Sequence, residues 1–253
     1  MAVLREDLLL TTLDAVEHNH RYGNFDLQLS EYGKTYHKNG ENSFFEPEWI
    51  TLTHTGKAQP AHWAGKTPNA TFYTIGKALE QLDRLFGLNT ERRELTKDDR
   101  FAYGLELYRG EKTIARYGRI ANQQIGDREI KGDVFFAEIT WLAVLRHYRK
   151  VNVQYKPLPK FPAITRDISM IVPDTVSYAE IRKAIHSCNP KLIRDIAITD
   201  VYKGDSIGAG KKSYLIQVTL LDEKKTLTVK AADKTMDRVF KKLEGDFGVE
   251  IRK

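Results

Sequence analysis

The sequence holds one cysteine, Cys188, in 253 residues. A single thiol closes no intramolecular disulfide, so the fold must be held by packing, and a reducing cytoplasm is the expected compartment. Long hydrophobic runs are missing too. No stretch reaches the 18 apolar residues of a membrane-spanning helix, so no membrane association is expected. The start, MAVLREDLLLTTL, lacks a cationic segment followed by an apolar block and a small-residue cleavage site, so no signal peptide is read there. There is no internal repeat and no low-complexity tract.

Catalytic signatures are missing as well. The glycine-rich run GDSIGAGKKS, 204–213, comes nearest to a phosphate loop, but it does not match GxxxxGK[ST]. It also lies between two expected antiparallel strands, where no helix N-terminus offers its amides to a phosphate. It reads as a hairpin loop whose lysines can touch a polyanion. His18 and His20 are two apart and do not share a helix face. His54 and His62 fall on strand and loop, and His186 beside Cys188 reads as a helix end, so no metal site is expected. No Ser-His-Asp or Cys-His set follows from spacing.

What is present is ordinary globular composition, 41% apolar and 29% charged, in a chain long enough for two domains. The charge is uneven. Residues 1–150 carry 21 Lys and Arg against 21 Asp and Glu, while residues 151–253 carry 19 against 13. The whole excess of +6 therefore sits in the last two fifths, which points to an anionic partner there. Between the two parts lies YRKVNVQYKPLPKFPAITRD, with prolines at 157, 159 and 162. Each fixes its own φ and holds its predecessor extended, giving a semi-rigid connector. The expected domains are 1–154 and 155–253.

The second domain reads as β-α-β-β-α-β. Ile168, Met170 and Val172 share one strand face, with Ser169 and Ile171 on the other. Ser177 with Glu180 three residues on forms a capping box, and Tyr178, Ile181, Ile185 and Cys188 follow at helical spacing until Asn189-Pro190. Residues 192–202 and 211–221 read as strands, the second alternating through Tyr214, Ile216, Val218 and Leu220. Ala232, Met236, Val239, Phe240, Leu243 and Phe247 make a helical stripe ended by Gly248, and VEIR closes with a short strand. This order is the ferredoxin-like plan, four antiparallel strands with both helices on one face.

The first domain reads as α+β on a mostly antiparallel sheet. A helix carries Leu9, Leu13 and Val16; FDLQLSEYGKTY suggests a strand pair; EWITLTHTG is a strand ending at Gly56. A helix at 72–86 has Ile75, Leu79, Leu82 and Phe86 inward and Gly87 as its cap. Two strands meet at an Arg109-Gly110 turn, and VFFAEITWLAVL starts as a strand and ends as a short helix.

The cations form three groups: Lys156, Lys160 and Arg166 at the connector; Lys203, Lys211 and Lys212 around the glycine loop; Lys230, Lys234, Arg238, Lys241 and Lys242 on the last helix. The helix group reads first as a solvated face. The strand and loop groups are the better candidates, because the helix-free face of such a sheet can present aromatics and cations to single-stranded RNA. Phe161, Tyr202 and Tyr214 are the candidate stacking residues. Tyr214 can equally be core, since its alternation partners are aliphatic, and Phe161 can instead clamp connector to domain.

FPAITRDISMIV (161–172), TDVYKG (199–204), GKKSYLIQVTL (210–220) and KKTLTVKAADKTMDRVFKKLEGDFGVEIR (224–252) resemble the anticodon-binding domain of the bacterial phenylalanyl-tRNA synthetase beta subunits. LREDLLLTTLDAVEHNHRYGNFDLQLSEYGKTY (4–36) and FYTIGKALEQLDRLFG (72–87) resemble the synthetase-like domain that precedes it. The resemblance implies a class II synthetase-like domain without catalytic residues, then a ferredoxin-fold domain near the tRNA anticodon. It implies an α2β2 assembly with an alpha subunit that joins phenylalanine to its tRNA using ATP and magnesium. No cofactor is then expected in this chain. The family pattern marks Arg166-Asp167 and Asp200-Val201-Tyr202. Family members are about three times longer, so the resemblance implies that editing lies outside this chain and that Met-Ala-Val opens a shortened form. TLTVK, 226–230, replaces the family's acidic start of the last helix, which should fray that end. The neutral first domain fits a protein-holding role, with Trp49, Trp63, Trp141 or Phe44-Phe45 as possible anchors; Trp141, in an apolar run, reads as core.

Overall fold

Two compact units, Met1–Val153 and Gln154–Lys253, make up the computed structural model. It describes residues 4–40, 43–148, 155, 157–204 and 207–252; the expected break at 154, Lys156, Asp205 and Ser206 lie outside them.

In the first unit the chain runs α1 (Leu9–Arg21), β1 (Leu27–Lys34), β2 (His37–Lys38), β3 (Phe44–Phe45), β4 (Glu48–Thr55), α2 (Phe72–Phe86), β5 (Glu91–Glu94), β6 (Phe101–Arg109), β7 (Lys112–Ile120), α3 (Asn122–Ile125), β8 (Val134–Thr140) and α4 (Trp141–Tyr148). Six strands form one antiparallel sheet in the order β1-β4-β8-β7-β6-β5. Alternation splits β8 between two cores. Phe135, Ala137 and Ile139 meet Ile75 and Leu79 of α2 and Val144 of α4. Val134 and Phe136 point the other way, to Leu9 and Leu13 of α1. Gly104 and Gly118 face each other across β6 and β7, and a Cβ on either would collide with the opposite backbone. Gly87 ends α2 in the left-handed region at φ 58°.

One expected element differs. FDLQLSEYGKTY is not a strand pair but the single strand β1, followed by the short β2, which pairs with β3. No turn interrupts it, because Gly33 is paired in register with Trp49 rather than placed in a bend.

The second unit runs β9 (Ile164–Pro173), α5 (Tyr178–Cys188), β10 (Ile193–Tyr202), β11 (Lys211–Leu220), α6 (Val229–Phe247) and β12 (Glu250–Arg252). Its sheet order, β10-β11-β9-β12, all antiparallel, is the ferredoxin-like topology. Ile168, Met170, Val172, Ile216, Val218 and Leu220 pack against Ile181 and Ile185 of α5 and Met236, Val239 and Leu243 of α6. The Ser177–Glu180 capping box forms: the Ser177 amide donates to Glu180 Oε2 at 2.8 Å, and the Glu180 amide donates to Ser177 Oγ at 3.3 Å. At the start of α6 no acid is present, but the Thr228 hydroxyl accepts from the Ala231 amide at 3.3 Å. The cap comes from TLTVK itself, whose Thr228 offers a side-chain acceptor where the family's acids are absent.

Candidate nucleic-acid interface

Directly paired residues of an antiparallel sheet point to the same side. The register therefore defines the helix-free face of the second unit row by row. One row is Tyr202, Ser213, Ile171 and Glu250; the next is Asp200, Leu215, Ser169 and Arg252. Ala197, Gln217 and Asp167 follow, then Asp195, Thr219 and Thr165, while Lys211 flanks the first row.

Tyr202 reaches this face only through a β-bulge. Ile196 and Ile198 turn towards the helices, and an unbroken strand would send Tyr202 the same way, four residues on. The register shifts between Ile198 and Asp200, which reverses the parity. Tyr202 is left 48% exposed, paired opposite Ser213, with Gly204 so close to its hydroxyl end that a Cβ there would collide. The bulged Thr199 hydroxyl donates to the Leu215 carbonyl at 3.1 Å, tying the irregular turn to β11.

The other candidates separate. Lys160 is exposed ahead of β9 and Phe161 is half-buried beside it. Lys203 is exposed just past Tyr202, paired with Asp174 at 2.8 Å, and Lys211 is paired with Glu250 at 2.9 Å. Three candidates do not reach the open face. Tyr214 lies in the helix-side core at 6% exposure, edge-on to Tyr178, so its role as a stacking residue is corrected to packing. Lys212 is also buried, its ammonium donating to the Asp174 carbonyl at 3.0 Å and lying over the Tyr214 ring, so it too is corrected from a phosphate contact to a packed lysine. The cause is parity: in β11 odd residues face outward and even residues inward. Arg166, opposite Val218, likewise turns to the helix side and pairs with Asp233 of α6 at 3.1 Å.

The face so built is acidic rather than basic. Asp167, Asp195, Asp200 and Glu250 stand against Lys211 and Arg252. Gln217 donates to Asp167 at 3.2 Å, and the Glu250 carboxyl is held below its usual range by its hydrogen bond to Lys211. Carboxylates and amides beside one exposed aromatic suit the polar edges and faces of bases better than phosphates. The sequence reading passed over Gln217, Glu250 and Arg252, because their neighbours on this face come from other strands.

The first unit carries a different polar surface. Glu31, Thr51, Glu138, Arg116, Glu106 and Arg93 form one transverse row across all six strands. Arg100 joins it with paired hydrogen bonds to Glu138, at 2.8 and 2.6 Å, and to Asp98, at 2.9 and 2.7 Å. Glu106 accepts from Arg93 and Thr113, both at 2.6 Å, and from Arg116 at 3.2 Å. Burial pushes the Asp98 and Glu106 carboxyls up, but hydrogen bonds and neighbouring arginines outweigh it and hold both below the usual range. The arginines of this face are thus engaged by carboxylates of the same sheet. Trp63 is 98% exposed and Phe44 and Phe45 are exposed, whereas Trp49 donates to Thr35 Oγ1 at 2.9 Å and Trp141 packs on the α2 core. Among the described residues no group of three or more His, Cys, Asp or Glu is placed to hold a metal ion, and no helix is long and apolar enough to cross a membrane.

Each of the two units matches a known family. Residues 159–252 match the family described as ferredoxin-fold anticodon binding domain, and residues 1–141 match the phenylalanyl tRNA synthetase beta chain CLM domain. The chain is 30% identical to the phenylalanine–tRNA ligase beta subunit of Bacteroides fragilis over 98% of its own length and 32% of that protein. It is 27% identical to the Thermotoga maritima beta subunit over 100% of its length and 32% of that protein. Among solved structures, the pyrrolysyl-tRNA synthetase of Desulfitobacterium hafniense overlaps 58% of this chain and 50% of its own at 13% identity and a TM-score of 0.42, too loose a likeness to bear an argument. The chain spans about a third of the length of the curated relatives it matches, and the match across residues 1–141 shows that it belongs to the phenylalanyl tRNA synthetase beta chain family.

Proposed function

We propose that this chain is the non-catalytic scaffold and the tRNA anticodon-region-binding part of a phenylalanine–tRNA ligase. Its partners are the tRNA for phenylalanine and an alpha subunit in an α2β2 assembly of the cytoplasm. ATP and magnesium are used by the assembly and act outside this chain. Residues 1–154 serve as the class II synthetase-like scaffold and 155–253 as the RNA-facing domain. The observation that carries the RNA role is the bulge that turns Tyr202 onto the open sheet face, beside Asp200, Ser213 and Gln217. Tyr202 stacks on a base, Asp200 and Gln217 read polar edges, and Lys160, Lys203 and Lys211 sit at the rim for the flanking backbone, with Phe161 supporting the connector.

A second reading is a protein assembly module without direct RNA contact. The exposed Trp63, Phe44 and Phe45 favour it for the first unit, since exposed aromatics are the usual anchors of protein interfaces. Binding of this chain to the tRNA for phenylalanine, with a salt series and an anticodon-swapped tRNA, separates the two. Loss of binding on the swap supports base reading by the second unit. Equal binding to both tRNAs means backbone contact only, and no binding at low salt leaves the assembly role.

A further inference from the structure

The open sheet face cannot account for the charge of the second unit, because it holds more acids than bases. Helix α6 carries five lysines and arginines against four acids, and the two signs are ordered along it. Lys230, Lys234, Arg238 and Lys241 recur at helical spacing along α6, so they form one stripe about three turns long. The acids Asp233, Asp237 and Glu244 form a separate, adjacent stripe. Asp233 is taken by Arg166, and Lys242 is taken by Asp246. Among the described residues none of the four stripe cations enters an ion pair, and all four are exposed. The face of α6 that meets α5 is the neighbouring one, which carries the buried Thr235. The Cys188 thiol lies 3.9 Å from the Arg238 carbonyl, and Asn189 donates to Thr235 at 3.4 Å. Four unpaired cations on a rigid helix beside a second helix make a linear anode of the kind that follows a nucleic-acid backbone.

We infer that Lys230, Lys234, Arg238 and Lys241 form a phosphate-backbone site for RNA, distinct from the base-reading sheet face. The site rests on the RNA-binding function proposed for the chain and gives it a division of labour. The sheet discriminates bases with few cations, and the helix supplies salt-sensitive affinity without reading sequence.

The test is a salt titration of this chain with a transcript of the tRNA for phenylalanine. The variant carries K230Q, K234Q, R238Q and K241Q; glutamine keeps helix propensity, so the fold is retained. At about 0.7 units of slope per released single-strand phosphate contact, the log–log salt slope falls by about 3. Between 50 and 200 mM salt the wild type then loses affinity roughly 50-fold more steeply than the variant. A second variant, D237N with E244Q, removes neighbouring repulsion and binds tighter at low salt. A folded quadruple variant with the wild-type slope overturns the site, including the case in which the stripe takes a protein. Wild-type chain that fails to bind the transcript at 50 mM salt sinks the RNA function itself, a result distinguishable from the first.

Discussion

Replacing Arg100 by methionine should unfold the first unit at a markedly lower temperature without touching the second. Arg100 makes four hydrogen bonds to two carboxylates, and its side chain is 21% exposed against 14% for Asp98 and 9% for Glu138. R100M leaves both carboxylates in a largely dry site. Glu138 keeps only Arg116, at 3.6 Å. Breaking a buried pair from one side costs about 3–5 kcal/mol, and a unit of this size loses roughly 2–4 °C per kcal/mol, so the melting point should drop by about 10 °C. The readout is clean, because all three tryptophans, Trp49, Trp63 and Trp141, lie in the first unit and their fluorescence reports it alone. Acid provides a check on the mechanism. The Asp98 carboxyl has a lowered pKa in the fold, so its stabilisation is present above the ordinary value of 3.8 and fades as pH falls through the lowered one. The deficit of R100M should therefore be largest near neutrality and, as pH falls, begin to shrink above the ordinary carboxylate range, because burial without the arginine raises the stranded carboxylates. R100M with E138M should recover part of the loss, since an apolar pair is tolerated where a lone charge is not. A melting point within about 2 °C of wild type, or a deficit that grows with acid, would refute the account of the ladder as a buried, mutually dependent network.

Three further outcomes follow from the same structure. Tyr214→Ala should destabilise the second unit by about 3–5 kcal/mol in urea unfolding followed by circular dichroism, because it empties a core site; Tyr202→Ala should leave stability within about 1 kcal/mol and weaken tRNA binding instead. Thr228→Ala should cost about 1 kcal/mol by removing the cap of α6, and Thr228→Asp should equal or exceed wild type, since an acid there also meets the helix dipole; thermal unfolding of the second unit decides. His20 is buried, accepts from the Lys131 amide at 3.1 Å, and is kept by burial below its ordinary pKa of 6.5. Its neutral form is the stable one in the fold, so first-unit stability holds above pH 6.5 and falls as pH drops below it; the tryptophan-detected urea midpoint should decline from pH 7.5 to 5.5, and His20→Gln should flatten that decline.

How far the sequence speaks depends on whether a feature is written along one strand or across several. The alternation of β11, the capping box at Ser177 and the glycine caps at Gly87 and Gly248 are local, and each was readable from residue spacing. Tyr214 shows the first limit. Its inward parity was legible, yet an aromatic two residues past Lys211-Lys212 on a candidate RNA sheet left two roles open, stacking and core, and burial selects core. Tyr202 shows the second. Its outward direction depends on a one-residue slip between Ile198 and Asp200, and nothing in IAITDVY fixes where a bulge falls: it has no glycine, and apart from Ala197 and Asp200 its residues are strand formers. The charge ladder of the first unit is the extreme case. Glu31, Thr51, Arg93, Glu106, Arg116 and Glu138 are scattered over more than a hundred residues, and become neighbours only through the strand order β1-β4-β8-β7-β6-β5. The helix stripe on α6 stands at the opposite pole, since its spacing was plain from the outset and was set down to a solvated face. Only the acidity of the other side of the sheet makes it informative: the open face holds four acids against two bases, and the four exposed, unpaired side chains of α6 form a separate cationic surface of this unit.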